Sequence, residues 1–402
     1  MISWYKNFLL PTGLLAGTVI GAGVFALPYL FVRSGLGIGF LTLAAGALAY
    51  VLLHLLYADL ILRTPGEHRF PGYARMYLGR APFWLSIAMT VLEMIFVMTI
   101  YLILSVSFLN LIAAGPDLVN PHTTDLHPWL SGVGVKLLIF WLLGSLAIFL
   151  SIRRLAISEF LVTAAMVAII GAIFFLGIGD VGRIVELKLF TGFSNMLLPL
   201  GAALFALSGR VAIPSLVAYF REREIDHGRR ALRRAIVAGT LVPAGLYAFF
   251  VLGILGLSPS VSEDAISGLV CAVPSLLLAA IGVLGLLSLW SSYIVVGLDV
   301  ANILRYDLKF SPATRIALVV GGPLLLYLMG FQEFIPLVGF VGGIFLALEG
   351  ILIVTMWLKA RQHPPHRPPL LARISPVLSA GTVTLLVIVL LHELYQYVSA
   401  RL

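Results

Sequence analysis

Apolar runs of about 20 residues or more, parted by short polar stretches, recur along the whole 402-residue chain and leave it one class of fold. A run of that length crosses the hydrocarbon core of a bilayer as a helix, which satisfies its own peptide groups where no water can. The runs fall at roughly 9–31, 38–62, 82–113, 129–150, 155–178, 195–219, 235–257, 275–304, 313–330, 334–358 and 376–398, which predicts an all-α integral membrane protein of about eleven spans. A soluble reading fails because 60% of the residues are hydrophobic and 11% charged, with a mean hydropathy of +1.06. A short amphipathic piece, Phe70 to Arg80, is expected along the interface between spans 2 and 3. The single cysteine, Cys271, excludes a disulfide framework and a cysteine-based metal site. No cleavable signal peptide is expected, since the first apolar run is too long and too rich in glycine.

The net charge of +8 suggests nucleic acid until the basic residues are placed on the loops. With the N-terminus inside, twenty of the 26 Lys and Arg face the cytoplasm and four face out, while Lys136 and Arg210 lie within spans. That asymmetry predicts the orientation by the positive-inside rule, with a bacterial-type inner membrane as the setting. It removes the need for a nucleic-acid partner. The run Arg221 to Arg234 reads as a solvated cytoplasmic loop beside anionic lipid.

Two spans are poor material for a continuous helix. Span 1 reads Gly17-Thr-Val-Ile-Gly-Ala-Gly-Val-Phe-Ala-Leu-Pro28, and span 6 reads Phe205-Ala-Leu-Ser-Gly-Arg-Val-Ala-Ile-Pro214. Gly23 to Pro28 and Gly209 to Pro214 share one offset and open two blocks of five spans. The repeats are expected at about 9–178 and 195–358 within one transmembrane domain, with an added helix at 376–398. Interrupted helices at matching places in two halves point to a carrier built from inverted repeats, although membrane glycines also serve close packing. The free N–H groups near Ala22 and Gly23 suit a carboxylate, and the carbonyls ending each first half suit an ammonium group or small cation. In span 8, Ser288, Ser291 and Ser292 share a helical face where hydroxyls suit Na⁺, or alternatively serve helix packing.

These motifs resemble the amino acid/auxin permease family, above all its bacterial hydroxy- and aromatic-amino-acid permeases. The likeness rests on the span-1 stretch, on Ser208-Gly-Arg-Val-Ala-Ile-Pro-Ser-Leu-Val-Ala-Tyr219, and on Ser291-Ser-Tyr-Ile-Val-Val-Gly-Leu-Asp-Val-Ala-Asn302. The resemblance implies a LeuT-like fold and secondary amino-acid transport. It also implies a substrate site at Thr18, Gly21, Ala22, Gly23, Val97, Tyr101, Phe205, Ala206, Ser208 and Gly209. A sodium site would take the carbonyls of Gly17 and Ile20 with Ser288, Ser291 and Ser292. Arg210 departs from the pattern, which tends to carry a small or amide residue there.

Arg210 and Glu93 both fall near mid-span, where a charge is expected to face a cavity or a partner. Three readings stand: a pair bordering the substrate site with Glu93 as proton acceptor, a permanent pair fixing spans 3 and 6, or Arg210 receiving an anionic substrate group. Glu349 is equally deep and reads as a gate, a coupling residue or hydrogen-bonded filler. Lys136 is placed to snorkel, and Asp59, Asp299 and Glu159 are expected at the interface. His54 and His392 lack metal-ligand spacing. No ATP-binding motif, metal set or convergent catalytic cluster is present in the sequence, so a symporter of amino acids leads. A carrier of another small solute or a metal ion on the same fold and an uncoupled amino acid exchanger are the alternatives, and an ATP pump, an enzyme and a channel rank below. No cofactor is expected beyond the coupling ion, for which the serines favour Na⁺ and Glu93 favours H⁺.

Overall fold

The structure, a computed structural model, describes residues 4–117, 132–149, 155–180, 182, 184, 187–222, 228–270, 272–371 and 375–399. Arg153, Arg154, Arg183, Cys271, Arg373, Arg401 and the side chain of Glu159 lie outside the described residues. Helices account for every regular element among them: α1 (Leu10–Val19), α2 (Leu27–Ser34), α3 (Leu36–Arg63), α4 (Phe70–Leu78), α5 (Arg80–Asp117), α6 (Val133–Phe149), α7 (Leu155–Gly177), α8 (Leu198–Leu207), α9 (Ala212–Glu222), α10 (Gly228–Leu257), α11 (Ser275–Tyr306), α12 (Pro312–Leu328), α13 (Phe334–Ala360) and α14 (Pro376–Ser399). Among the described residues seven helices are long and apolar enough to cross a bilayer, and nine spans result when each bent pair counts as one. At the expected fourth and ninth spans, α6 and α12 are shorter, with 17 residues each. That length is at the lower end of what a crossing requires, about 17–25 residues.

The first span breaks where its glycines predict. Helical geometry stops at Val19, Ile20 (φ −71°, ψ 102°) and Gly21 (φ −150°, ψ −161°) are extended, and the chain resumes as a 3₁₀ turn, Ala22–Ala26, that runs into α2. In the sixth span α8 ends at Leu207, Ser208 is extended (φ −65°, ψ 127°), and α9 restarts at Ala212. The halves are bent by 53° and 40°. Neither proline is itself the break. Pro28 and Pro214 sit in the first turns of α2 and α9, where a missing N–H removes no helical hydrogen bond. The prolines thus set where each second half begins.

Around the broken pair, α5 and α11 pack along one another, and α10 lies against α1, α3 and α7. The helix α8 is held between α3 and α13. The amphipathic piece is α4, stopped by Gly79 at φ +96°, with Phe70, Pro71, Tyr73 and Ala74 buried. Lys136 donates to Asn110 Oδ1 at 2.6 Å.

Asp59 corrects an expectation. It sits near a helix end but is 0% exposed, because the strap after α13 folds over it. Its carboxylate receives Arg63 Nε (2.7 Å), Trp357 Nε1 (2.7 Å) and the backbone N–H groups of Leu370 (2.6 Å) and Leu371 (3.2 Å). The group therefore staples the strap to α3. Asp59→Ala leaves Arg63 and three donors without their acceptor and should destabilise the fold by about 3–5 kcal/mol. The check is the thermal midpoint of the detergent-purified protein, with Asp59→Asn losing less because it keeps an acceptor for the strap.

Candidate functional site

Each break lies in a notch left by a glycine on the other. A methyl group on Gly23 would come within 2.5 Å of Ala206 Cα, and one on Gly209 would lie 2.7 Å from Val19 Cγ2 and 3.0 Å from Leu15 Cδ1. From α10, the Tyr247 hydroxyl reaches the carbonyls of Val19 (2.7 Å) and Ala206 (3.0 Å), the last turn of each first half-helix. A single hydroxyl thereby ties both breaks together. Nothing in the local sequence marks Tyr247 for this, since the two carbonyls come from distant segments.

Beside the crossing lies a cavity of about 170 Å³. The ten residues that the resemblance assigns to the substrate site line it: Thr18, Gly21, Ala22 and Gly23 from the first break, Val97 and Tyr101 from α5, and Phe205, Ala206, Ser208 and Gly209 from the second. Arg210, a candidate for an anionic substrate group, lines it too. Glu93, Gly17 and Ile20 line it as well. On α5, Glu93, Val97 and Tyr101 follow one another at i, i+4 and i+8. On α11, Ser292, Val295, Val296 and Asp299 form a stripe at i, i+3, i+4 and i+7. Met94 and Leu346 complete the apolar wall.

Of the three candidate sodium-site serines on α11, only Ser292 reaches the cavity, where it lies against Tyr101. The lining stripe runs from Ser292 towards Asp299. Ser288 is one turn beyond its end, and Ser291, off the stripe, is buried with no partner for its hydroxyl among the described residues. Gly17 faces Thr163 of α7. Extending the stripe from Ser292 by helical register would have found Val295, Val296 and Asp299. Asp299, expected at the interface, instead lines the cavity.

The charged residues are partnered differently from the sequence expectation. Arg210 does not pair with Glu93; its Nε lies 2.5 Å from Glu349 Oε2 on α13, with 8% and 5% side-chain exposure. The guanidinium also lies over the Phe70 ring, 4.6 Å from its centroid, and near the Tyr57 hydroxyl. Two mid-span acids were within reach of Arg210 along the sequence, and only helix rotation selects between them. Glu93 is close enough to feel Glu349, Arg210 and Asp299, yet forms no ion pair among the described residues, and neither does Asp299. Arg210 is matched by Glu349, so Glu93 and Asp299 are the acidic groups on the cavity wall that have no ion-pair partner among the described residues.

His54 is buried, and its Nε2 has no hydrogen-bond partner among the described residues. Its Nδ1 is 3.0 Å from Thr240 Oγ1, and its ring packs on Tyr50. His392 lies beside Gln396. Among the described residues, no group of three His, Cys, Asp or Glu is placed to hold a metal ion.

The cavity thus presents helix-start N–H groups at Ala22 and Gly23, half-helix carbonyls, two carboxylates and an apolar wall. A small zwitterion with an apolar side chain matches each of these.

Comparison with known proteins supports the same reading. The sequence profile described as the tryptophan/tyrosine permease family matches residues 5–397. The tyrosine-specific transport system 1 of Haemophilus influenzae is 26% identical over 390 residues, covering 89% of each chain. Among solved structures, MhsT in complex with L-phenylalanine superposes with a TM-score of 0.63 at 14% identity, over 97% of this chain and 98% of that one. Mhp1, a nucleobase-cation-symport-1 family transporter, superposes with TM-scores of 0.62 in its inward-facing conformation and 0.59 in a closed conformation with bromovinylhydantoin bound. These pairs are 16% and 17% identical, and each covers 97% of this chain and 90% or 91% of Mhp1. The LeuT-like, all-helical fold that the motifs imply is therefore the fold of this chain.

The two glycines of the first break should respond differently to one methyl group. Gly23→Ala must displace Ala206 and should cost roughly 1–3 kcal/mol of overpacking, lowering the thermal midpoint together with substrate affinity. Gly21→Ala meets nothing nearer than Val19 O at 3.9 Å and should leave the midpoint unchanged. Differential scanning fluorimetry of the two variants makes the comparison.

Proposed function

Because the chain belongs to the tryptophan/tyrosine permease family and is a secondary transporter of amino acids rather than an enzyme, we propose that its cavity carries one aromatic amino acid as a zwitterion, driven by H⁺. The observation that carries this reading is the meeting of two helix breaks on one small cavity, which gives peptide dipoles of both signs to a single guest. Its volume, about 170 Å³, is below the range of drug-sized pockets, roughly 300 Å³ and up, and suits one small solute. Met94, Val97, Phe205, Val295 and Leu346 offer the substrate side chain an apolar wall. Arg210 is neutralised by Glu349 and leaves no free cation for an acidic side chain.

The substrate carboxylate meets the N–H groups of Ala22 and Gly23, and its ammonium group meets the half-helix carbonyls and the acidic wall. For coupling, Glu93 and Asp299 line the cavity while Ser292 alone of the three candidate sodium-site serines does, which favours H⁺ over Na⁺. Glu93 is the acceptor we assign, since it sits on the same face of α5 as Val97 and Tyr101. Residues 9–178 and 195–358 act as inverted repeats that rock about the fixed breaks, with α14 added outside them. The end bearing Arg63, Arg69 and Arg221 to Arg234 is assigned to the cytoplasm, in a bacterial-type inner membrane, by its excess of positive charge.

Purified full-length protein in liposomes, supplied with L-tyrosine, L-tryptophan or L-phenylalanine, tests the reading. Uptake should saturate, show counterflow and accumulate substrate under an inward proton gradient without Na⁺. In Glu93→Gln, counterflow should persist while gradient-driven accumulation falls at least about tenfold, a loss of some 1.4 kcal/mol of coupling. Accumulation driven by a Na⁺ gradient alone would sink the coupling assignment, and uptake that never saturates would sink the carrier.

A further inference from the structure

The start of α10 carries a cluster of positive charge that no carboxylate among the described residues pairs with. Arg229, Arg230, Arg233 and Arg234 fill its first two turns, and no acidic residue sits in the first. Cations at a helix N-terminus oppose the macrodipole, and like charges four residues apart repel each other. Among the described residues none of these four guanidinium groups pairs with a carboxylate, whereas Arg63, Arg69, Arg210 and Arg221 all do.

The same face of α10 then changes character within two turns. Arg230, Arg233, Arg234, Val237, Ala238 and Leu241 follow a helical stripe at i, i+3, i+4, i+7, i+8 and i+11, and all six line one cavity of about 640 Å³. Its far wall is Phe8, from the turn that leads into α1. Three guanidinium groups therefore head the cavity, and its remaining lining is apolar. Leu241 and the adjoining Val242 are 42% and 50% exposed on the outer surface.

Depth fits this order. A helix of 30 residues is about 45 Å long, enough to cross the hydrocarbon and reach into both headgroup layers. The arginines at its start lie at headgroup depth, and Leu241, about 10 Å further along from Arg234, lies at acyl-chain depth.

We propose that this cavity is a seat for one anionic glycerophospholipid. Its phosphate is held by Arg230, Arg233 and Arg234, and an acyl chain runs down Val237, Ala238 and Leu241 against Phe8. Guanidinium forks bind phosphate oxygens in pairs, and a phosphate there offsets both the mutual repulsion and the opposing dipole. A soluble phosphate would satisfy the arginines and leave the apolar strip bare. The lipid fits both ends of the cavity. By touching Phe8 and α10 together, it clamps the start of the first broken span to the helix that carries Tyr247.

The test uses the full-length protein in zwitterionic detergent, with phosphatidylglycerol, phosphatidylcholine and inorganic phosphate as probes and native mass spectrometry as readout. The wild type should retain one phosphatidylglycerol with a preference of roughly tenfold or more over phosphatidylcholine, and millimolar inorganic phosphate should not displace it. The triple variant R230Q/R233Q/R234Q should lose that preference, L241N should weaken retention of the same lipid, and R33Q, at the end of α2 and lining neither the seat nor the cavity beside it, should keep it. The proposal is overturned if the triple variant still prefers phosphatidylglycerol, or if inorganic phosphate competes as well as the lipid does. Retained substrate counterflow confirms that the variants are folded, and lipid retention is read independently of transport.

Discussion

In hydrocarbon a peptide group without a partner costs several kcal/mol, and the two helix interruptions are where this molecule meets that constraint. Each break survives because the other covers it. Gly23 lets the first segment rest on the backbone of Ala206, and Gly209 lets the second rest on Val19 and Leu15. Tyr247 then serves one freed carbonyl from each side. The peptide groups that remain face a cavity, which is the only other place where irregular backbone is tolerated at membrane depth. The site is thus a consequence of how the breaks are accommodated, and it needs little side-chain chemistry of its own.

Electrostatics is arranged on the same plan. Arg210 emerges from the second break and would be prohibitive if unpaired, so Glu349, Phe70 and Tyr57 gather around it. That pair adds little net stability, since desolvation of two ions offsets most of their attraction. What it does is hold α13 and α4 against the second break. With Arg210 neutralised, Glu93 and Asp299 are the acidic groups left on the cavity wall, and such groups suit a guest that carries an ammonium group or travels with a proton.

The breaks and their neighbours were legible because their signals are local. Glycine and proline announce where a helix stops and restarts, and the i, i+4 spacing of Glu93, Val97 and Tyr101 places them on one face whatever the rest of the fold does. Other residues could not be read in this way. Asp59 looks like a helix-end acid and is in fact the anchor of a strap more than 300 residues further along the chain. Asp299 looks interfacial because it is near the end of α11, yet the stripe that starts at Ser292 carries it onto the cavity wall. Ser288 and Ser291 share a face with Ser292, and the cavity simply does not extend to them.

By itself, the amino-acid sequence determined that this chain spans a membrane as helices, that spans 1 and 6 are discontinuous, and which residues those interruptions expose. All three follow from the backbone's need for internal hydrogen bonds and from the limits that glycine and proline place on it. Only the tertiary structure decided that Arg210 pairs with Glu349 and not Glu93, and that Tyr247 closes the crossing. It also decided that Asp299 lines the cavity. Those choices depend on the rotation and depth of helices packed against one another, and a side chain's partner across a hundred residues leaves no mark on its neighbours in the chain.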